Sequence, residues 1–148
     1  MNVERQKEII AKQEGLAQTL GMEFISTLEA NTCMARMNVD KLNRQPFGFL
    51  SGGATLALAE NLAGVGSMSL CPDKIAVGIN VSGNHVRTVM EGDSVTAYGK
   101  LEYKGETLHV WHVDVKNVKG DLVSTVQVTN YIITPRKDRG DLDFSSSE

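Results

Sequence analysis

Apolar residues recur with helical spacing near the start of the chain. Ile9, Ile10, Leu16 and Leu20 fall roughly on one side of a helix spanning residues 3–20, with charges elsewhere, and Gly21 supplies its stop. Residues 22–28 and 32–39 read as two strands joined by the polar turn Glu29-Ala30-Asn31, a hairpin pattern. After a loop over residues 40–50, Gly52-Gly53 opens a second helix that reaches about residue 70 and is ended by Pro72. Leu56, Ala57, Leu58, Ala59, Leu62, Ala63, Val65 and Met68 make this helix apolar on almost every side, the pattern of a buried element. Strand-like alternation then runs through residues 75–87, 94–103, 108–117 and 122–133. Glycine turns separate these strands at Glu91-Gly92-Asp93, Lys104-Gly105-Glu106 and Lys119-Gly120-Asp121. Trp111, Val113 and Val115 share one strand face, and His112, Asp114 and Lys116 the other. Helix, hairpin, apolar helix and four consecutive antiparallel strands, read as a meander, predict an α+β fold. In it a curved antiparallel sheet wraps around one long buried helix.

The chain has 148 residues, of which 41% are hydrophobic and 22% charged, enough for one packed domain. The expected division is a helix over residues 1–20, a main domain over 21–135 and a polar, disordered tail over 136–148. A formal net charge of −3 argues against a nucleic-acid partner. The charged N-terminus has no apolar run of signal-peptide type, and Glu60 and Asn61 interrupt the longest apolar stretch. Neither a leader nor a membrane span is therefore expected. Cys33 and Cys71 stand in no metal-binding or redox spacing, so a cytoplasmic protein with two free thiols and no metal is expected.

Glu60 carries the most information. An ionised carboxylate inside an apolar helix is costly without a partner, and desolvation would raise its pKa toward the range of a general base. On the helix alone two readings stay open: a carboxylate held for chemistry, or a thin wet face or subunit contact. Gly52-Gly53 allows close backbone approach, and the unpaired N–H groups of a helix start favour developing negative charge, as an oxyanion hole requires. Without other support, the pair reads rather as a tight loop-to-helix turn that binds nothing. Gly52 and Glu60 are eight residues apart, about 12 Å along one helix. One carbonyl cannot touch both. If both act on one substrate they come from different chains, which predicts a dimer with two composite sites. Ser51 lies in no nucleophile elbow, since Phe49 occupies the position of the first glycine. His109 and His112, three apart on a strand, face opposite sides and make a poor metal pair.

The run Gln45-Pro46-Phe47-Gly48-Phe49-Leu50-Ser51-Gly52-Gly53-Ala54, followed by Leu58-Ala59-Glu60 and later Asn84-His85-Val86-Arg87, resembles the hotdog-fold acyl-CoA thioesterases. It is most similar to the phenylacetate-degradation type, which includes 1,4-dihydroxy-2-naphthoyl-CoA hydrolases. The resemblance covers roughly residues 21–133. It implies hydrolysis of an acyl-CoA with an aromatic or medium-size acyl group, without a cofactor, coenzyme A being part of the substrate. Glu60 would attack the thioester carbonyl or activate water, the Gly52 N–H would polarise the thioester oxygen, and Gln45 would orient the reacting groups from the opposite chain. Ser51 would count with these three as catalytic, and Gly53 and Gly64 would lie beside the substrate. Gly78, His85, Val86, Arg87 and Thr88, with Tyr103, Lys104 and Gly105, would line the path of the coenzyme A arm. The family forms homodimers, often paired into tetramers. Two positions depart from its pattern: Ser51 where a histidine is usual, and Gly64 where many relatives carry a hydroxyl.

Those departures motivate an alternative, a non-catalytic acyl-CoA-binding module on the same fold. A hotdog dehydratase ranks below both, because no histidine precedes His85 to pair with an acid near the helix.

Overall fold

The computed structural model describes residues 1–135; the expected tail over 136–148 lies outside them. The elements are α1 (Glu4–Ala11), α2 (Leu16–Thr19), β1 (Glu23–Ile25), β2 (Thr32–Asn38), α3 (Gly52–Leu70), β3 (Ile75–His85), β4 (Ser94–Lys104), β5 (Leu108–Asn117) and β6 (Leu122–Ile133). The expected N-terminal helix is broken into α1 and α2, with Gly15 extended at the start of α2. The first strand is only Glu23–Ile25, shorter than its pattern suggested. Gly21 does end the helical segment, with φ of 71°.

One six-stranded antiparallel sheet has the order β1-β2-β4-β5-β6-β3. The last four strands therefore do not form a consecutive meander. Strands β4, β5 and β6 do, but β3 pairs with β6 at the far edge and β2 takes its place beside β4. Local alternation specifies strands and cannot specify which neighbours they choose. The sheet curls around α3, the hotdog arrangement. Trp111, Val113, Val115, Val126 and Val128 point inward and are fully or almost fully buried. They meet Leu58, Leu62 and Ala63 of α3, all at 0% exposure. Each such leucine contributes roughly 2 kcal/mol by leaving water.

A polar hub fixes the helix on the sheet. Ser67 of α3 is completely buried, and its hydroxyl accepts from Trp111 Nε1 at 2.8 Å and from Asn130 Nδ2 at 3.1 Å. With both lone pairs engaged, its O–H donates to His109 Nδ1 at 2.8 Å. His109 is therefore neutral, with its proton on Nε2. Burial lowers its pKa, and the positive charges of Lys104 and Lys74 lower it further. Cys33 and Cys71 are free thiols, and burial pushes Cys33 up to about 12, so it stays protonated in the core.

The contact of α3 with the sheet tolerates nothing larger than glycine at position 66. A Cβ there would lie 2.6 Å from Trp111 Cη2, 2.7 Å from Cζ2 and 3.1 Å from Cys33 Sγ. Overpacking of this kind costs about 1–3 kcal/mol, against a gain of at most about 1 kcal/mol for Ala over Gly in a helix. Gly66→Ala is therefore expected to lower the denaturant midpoint, and an unchanged or raised midpoint would contradict this packing. The hub also makes stability pH-dependent. Because the folded pKa of His109 lies below its unfolded value of about 6.5, its contribution is full above that pH and is lost as pH falls through and below it. The unfolding temperature should drop from about pH 7.5 to about pH 5.5, and drop less in His109→Asn, whose carboxamide oxygen preserves the acceptor. Equal drops in both proteins would show that His109 is not the titrating group.

Candidate functional site

The loop before α3 is a built structure. Buried Asn43 donates from Nδ2 to Asn38 O at 2.8 Å and accepts from Asp40 N at 2.9 Å, while its own carbonyl accepts from Ser51 N at 2.8 Å. Gln45 N donates to Phe49 O at 2.7 Å and Gly48 N to Gln45 O at 2.9 Å, closing a turn in which Gly48 takes φ of 91°. Leu50 N and Glu91 N tie this turn to the β3–β4 connection, bonding Val89 O and Gly48 O. The loop thus delivers Gln45 to the start of α3.

Ser51 is the residue preceding α3, and its side chain makes no cap on the first-turn N–H groups. The N–H groups of that turn have no partner within the helix. Beside them stands His85, at the end of β3. A Cβ added to Gly52 would lie 2.7 Å from His85 Nε2, so only glycine lets the imidazole sit this close. Ser124 of β6 holds the ring through Nδ1 at 2.7 Å. Gln45, Gly52, His85, Val86, Arg87 and Thr88 together line a cavity of about 300 Å³.

Glu60 is not in that cavity. Its carboxylate lies against the backbone of Gly78, where a Cβ would come within 2.9 Å of both Cδ and Oε1. Gly78 therefore makes room for Glu60 as Gly52 makes room for His85. Glu60 is exposed within a single chain, and Gly53 and, partly, Ala57, Asn61 and Gly64 are open beside it. This corrects the expectation of a dry helix: the sheet covers one side of α3 only, and small residues occupy the rest. Across the sheet Gly78 shares one row with Asn130, His109 and Lys104. Lys104, with Tyr103 and Gly105 at the β4–β5 turn, is thus at the Gly78 end. His85 to Thr88 are at the other end. The predicted residues fall into two groups, one at each end of the contact between α3 and β3.

Sequence reasoning missed Asn43 and Ser124. Ser124 could have been found: with Asn130 it breaks an otherwise apolar inward row, Val126, Val128 and Ile132, on β6. Asn43 carries no such signal, since a loop asparagine is unremarked until its burial is seen.

The profile of the thioesterase superfamily matches residues 47–124, from the loop before α3 to Ser124. The chain belongs to the thioesterase superfamily. It is 31% identical over 124 residues to the 1,4-dihydroxy-2-naphthoyl-CoA hydrolase of Listeria monocytogenes, covering 83% of this chain and 99% of that one. A thioesterase of Haemophilus influenzae superposes with a TM-score of 0.82 at 29% identity, covering 94% and 95% of the two chains. A Staphylococcus aureus relative, solved as a glutamate-to-alanine variant, superposes at 0.74 with 32% identity, covering 80% and 98%. The thioesterase-superfamily chain is thus a thioester hydrolase on a hotdog scaffold. Among the described residues no helix is long and apolar enough to cross a membrane.

Proposed function

We propose that this thioesterase hydrolyses acyl-coenzyme A, with an aromatic or medium-size acyl group, at two sites shared between the chains of a homodimer. The observation that carries the reading is the pair of half-sites. Strand β3 is a sheet edge with free backbone groups and with Val77 and Ile79 exposed, a surface that invites pairing. A bulge absorbs one residue between Gly78 and Asn80, so along the ladder Gly78 and His85 each lie three pairs from Ser82. Antiparallel pairing of two β3 strands about that centre sets Gly78 of one chain opposite His85 of the partner subunit. Residues 52 and 60 are likewise equidistant from Leu56, and Leu56 Cδ2 lies 3.3 Å from a Cβ built on Gly83. One two-fold axis near Leu56 and Gly83 therefore serves both elements, bringing Gly52 of one chain to the partner subunit's Glu60. Covering by the second copy would also remove Glu60 from bulk water.

In such a site the first-turn N–H of Gly52 polarises the thioester oxygen and Gln45 orients the carbonyl or the water. Glu60 takes the proton from water as its oxygen adds to the carbonyl carbon, or adds to that carbon itself. Collapse then breaks the C–S bond and releases coenzyme A. On the first route the departing thiolate takes the proton back from Glu60. On the second, water cleaves the acyl–Glu60 anhydride to give the free acid and restore the carboxylate. His85 to Thr88 and Tyr103 to Gly105 border the coenzyme A arm. The Listeria relative is named for an acyl-CoA substrate of this kind. Structures of the Staphylococcus aureus protein carry a glutamine and a glutamate replaced by alanine, fifteen positions apart, which is the spacing of Gln45 and Glu60.

Thiol release from a panel of acyl-CoAs tests the reading. Glu60→Ala should lower kcat/KM by about 10²–10⁴. Gly78→Ala, which pushes the carboxylate aside, should cost up to about 10². Hydrolysis indifferent to Glu60 would remove it from the chemistry. Saturable binding of acyl-CoA without turnover would favour the binding module that the Ser51 and Gly64 departures suggest.

A further inference from the structure

We infer that the N-terminal helices α1 and α2 form, with α3, the pocket that receives the acyl group and selects for uncharged acyl chains. The inference rests on the reaction proposed above. A cavity of about 280 Å³ opens between these helices, walled by Ile9, Ile10, Leu16, Val65 and Met68. An apolar cavity of about 150 Å³ holds benzene, so this one has room for a larger aryl group or a medium-length chain.

Its place on α3 links it to Glu60. Asn61, Val65 and Met68, spaced three and four apart, share the side of α3 that faces α1 and α2. Gly64 is one turn from Glu60 and three residues from Asn61, so it separates the carboxylate from the pocket mouth. A Cβ at Gly64 would meet nothing within 4 Å. The surface there is open, and neighbours at such spacings are about 5–6 Å apart. Two steps of that size carry a chain from a carbonyl at Glu60 over Gly64 into the pocket. Leu62 takes no part in it, being sealed in the core at 0% exposure.

The chemistry of the walls narrows the ligand. No charged side chain lines the cavity; its polar groups are the carboxamides of Gln6, Gln13, Gln18 and Asn61 and the backbone. Two of these amides are engaged, Gln6 with Met68 O at 3.3 Å and Asn61 with Ala57 O at 2.7 Å. Gln13 and Gln18 remain for a hydroxyl on the acyl group. A terminal carboxylate would find no cation. The superfamily match begins at residue 47, so α1 and α2 lie outside it.

Kinetics on the whole protein test this. Wild type should prefer octanoyl- and benzoyl-CoA over succinyl-CoA. In Leu16→Trp and Ile10→Trp the kcat/KM ratio of octanoyl-CoA to acetyl-CoA should fall at least about tenfold. To separate a folding defect from loss of the pocket, wild type supplies a second readout by methyl NMR. A non-hydrolysable ketone analogue of octanoyl-CoA should shift the methyl signals of Ile10, Leu16 and Met68, and coenzyme A alone should not. Glu60-dependent hydrolysis with unchanged ratios, or analogue-induced shifts confined to other residues, would overturn the pocket and leave the reaction standing. Absence of hydrolysis of every acyl-CoA by wild type would overturn both.

Discussion

The helix α3 lies along the edge strand β3 with glycine at both ends of the contact, and the proposed function depends on that alignment. Gly52 admits His85 at one end and Gly78 admits Glu60 at the other. A rigid helix holds its first-turn N–H groups and a carboxylate two turns later about 12 Å apart, so the two cannot serve one carbonyl within a chain. The separation is set by backbone geometry and no side-chain rotation removes it. Two-fold symmetry removes it at once, because it reverses the helix and brings each end of the contact to the other.

That alignment needs α3 to be held against the sheet without slippage. The apolar contacts of Leu58 and Leu62 supply the larger part of the energy but little direction. The Ser67 hydroxyl supplies direction: three groups from β5 and β6 converge on one oxygen, in a geometry that only one register of the helix satisfies. Gly66, next to it, lets Trp111 approach the helix backbone. His109 and Lys104 share a sheet row with Gly78, so the hub lies at the same end of the fold as the Glu60 half-site. Packing and site are thus adjacent in space.

Much of this was legible in the chain. The bounds of α3, β5 and β6 follow from periodicity and glycine punctuation because those elements bury one whole face. The proposal of a composite site starts from the spacing of Gly52 and Glu60, if both act on one thioester. What was not legible has physical reasons. The break at Gly15 is invisible to a pattern in which Ile10 and Leu16 still fall on one side. The pairing of β3 with β6 is a non-local choice that alternation does not encode. The exposure of Glu60 escapes a composition reading because Ala57 and Gly64 count as apolar yet leave the helix surface bare. A helix that is apolar all round and covered on one side only is one that a single chain leaves unfinished.

The sharing of one site between two chains can be measured directly by subunit complementation. Glu60→Ala and Gln45→Ala chains, each inactive alone, are co-expressed with different tags, and the mixed dimer is purified. A composite site predicts that each mixed dimer keeps one intact site out of two, so it should hydrolyse acyl-CoA at about half the wild-type rate. If the mixed dimer is as inactive as its parents, Gln45 and Glu60 act within one chain and the shared site is wrong.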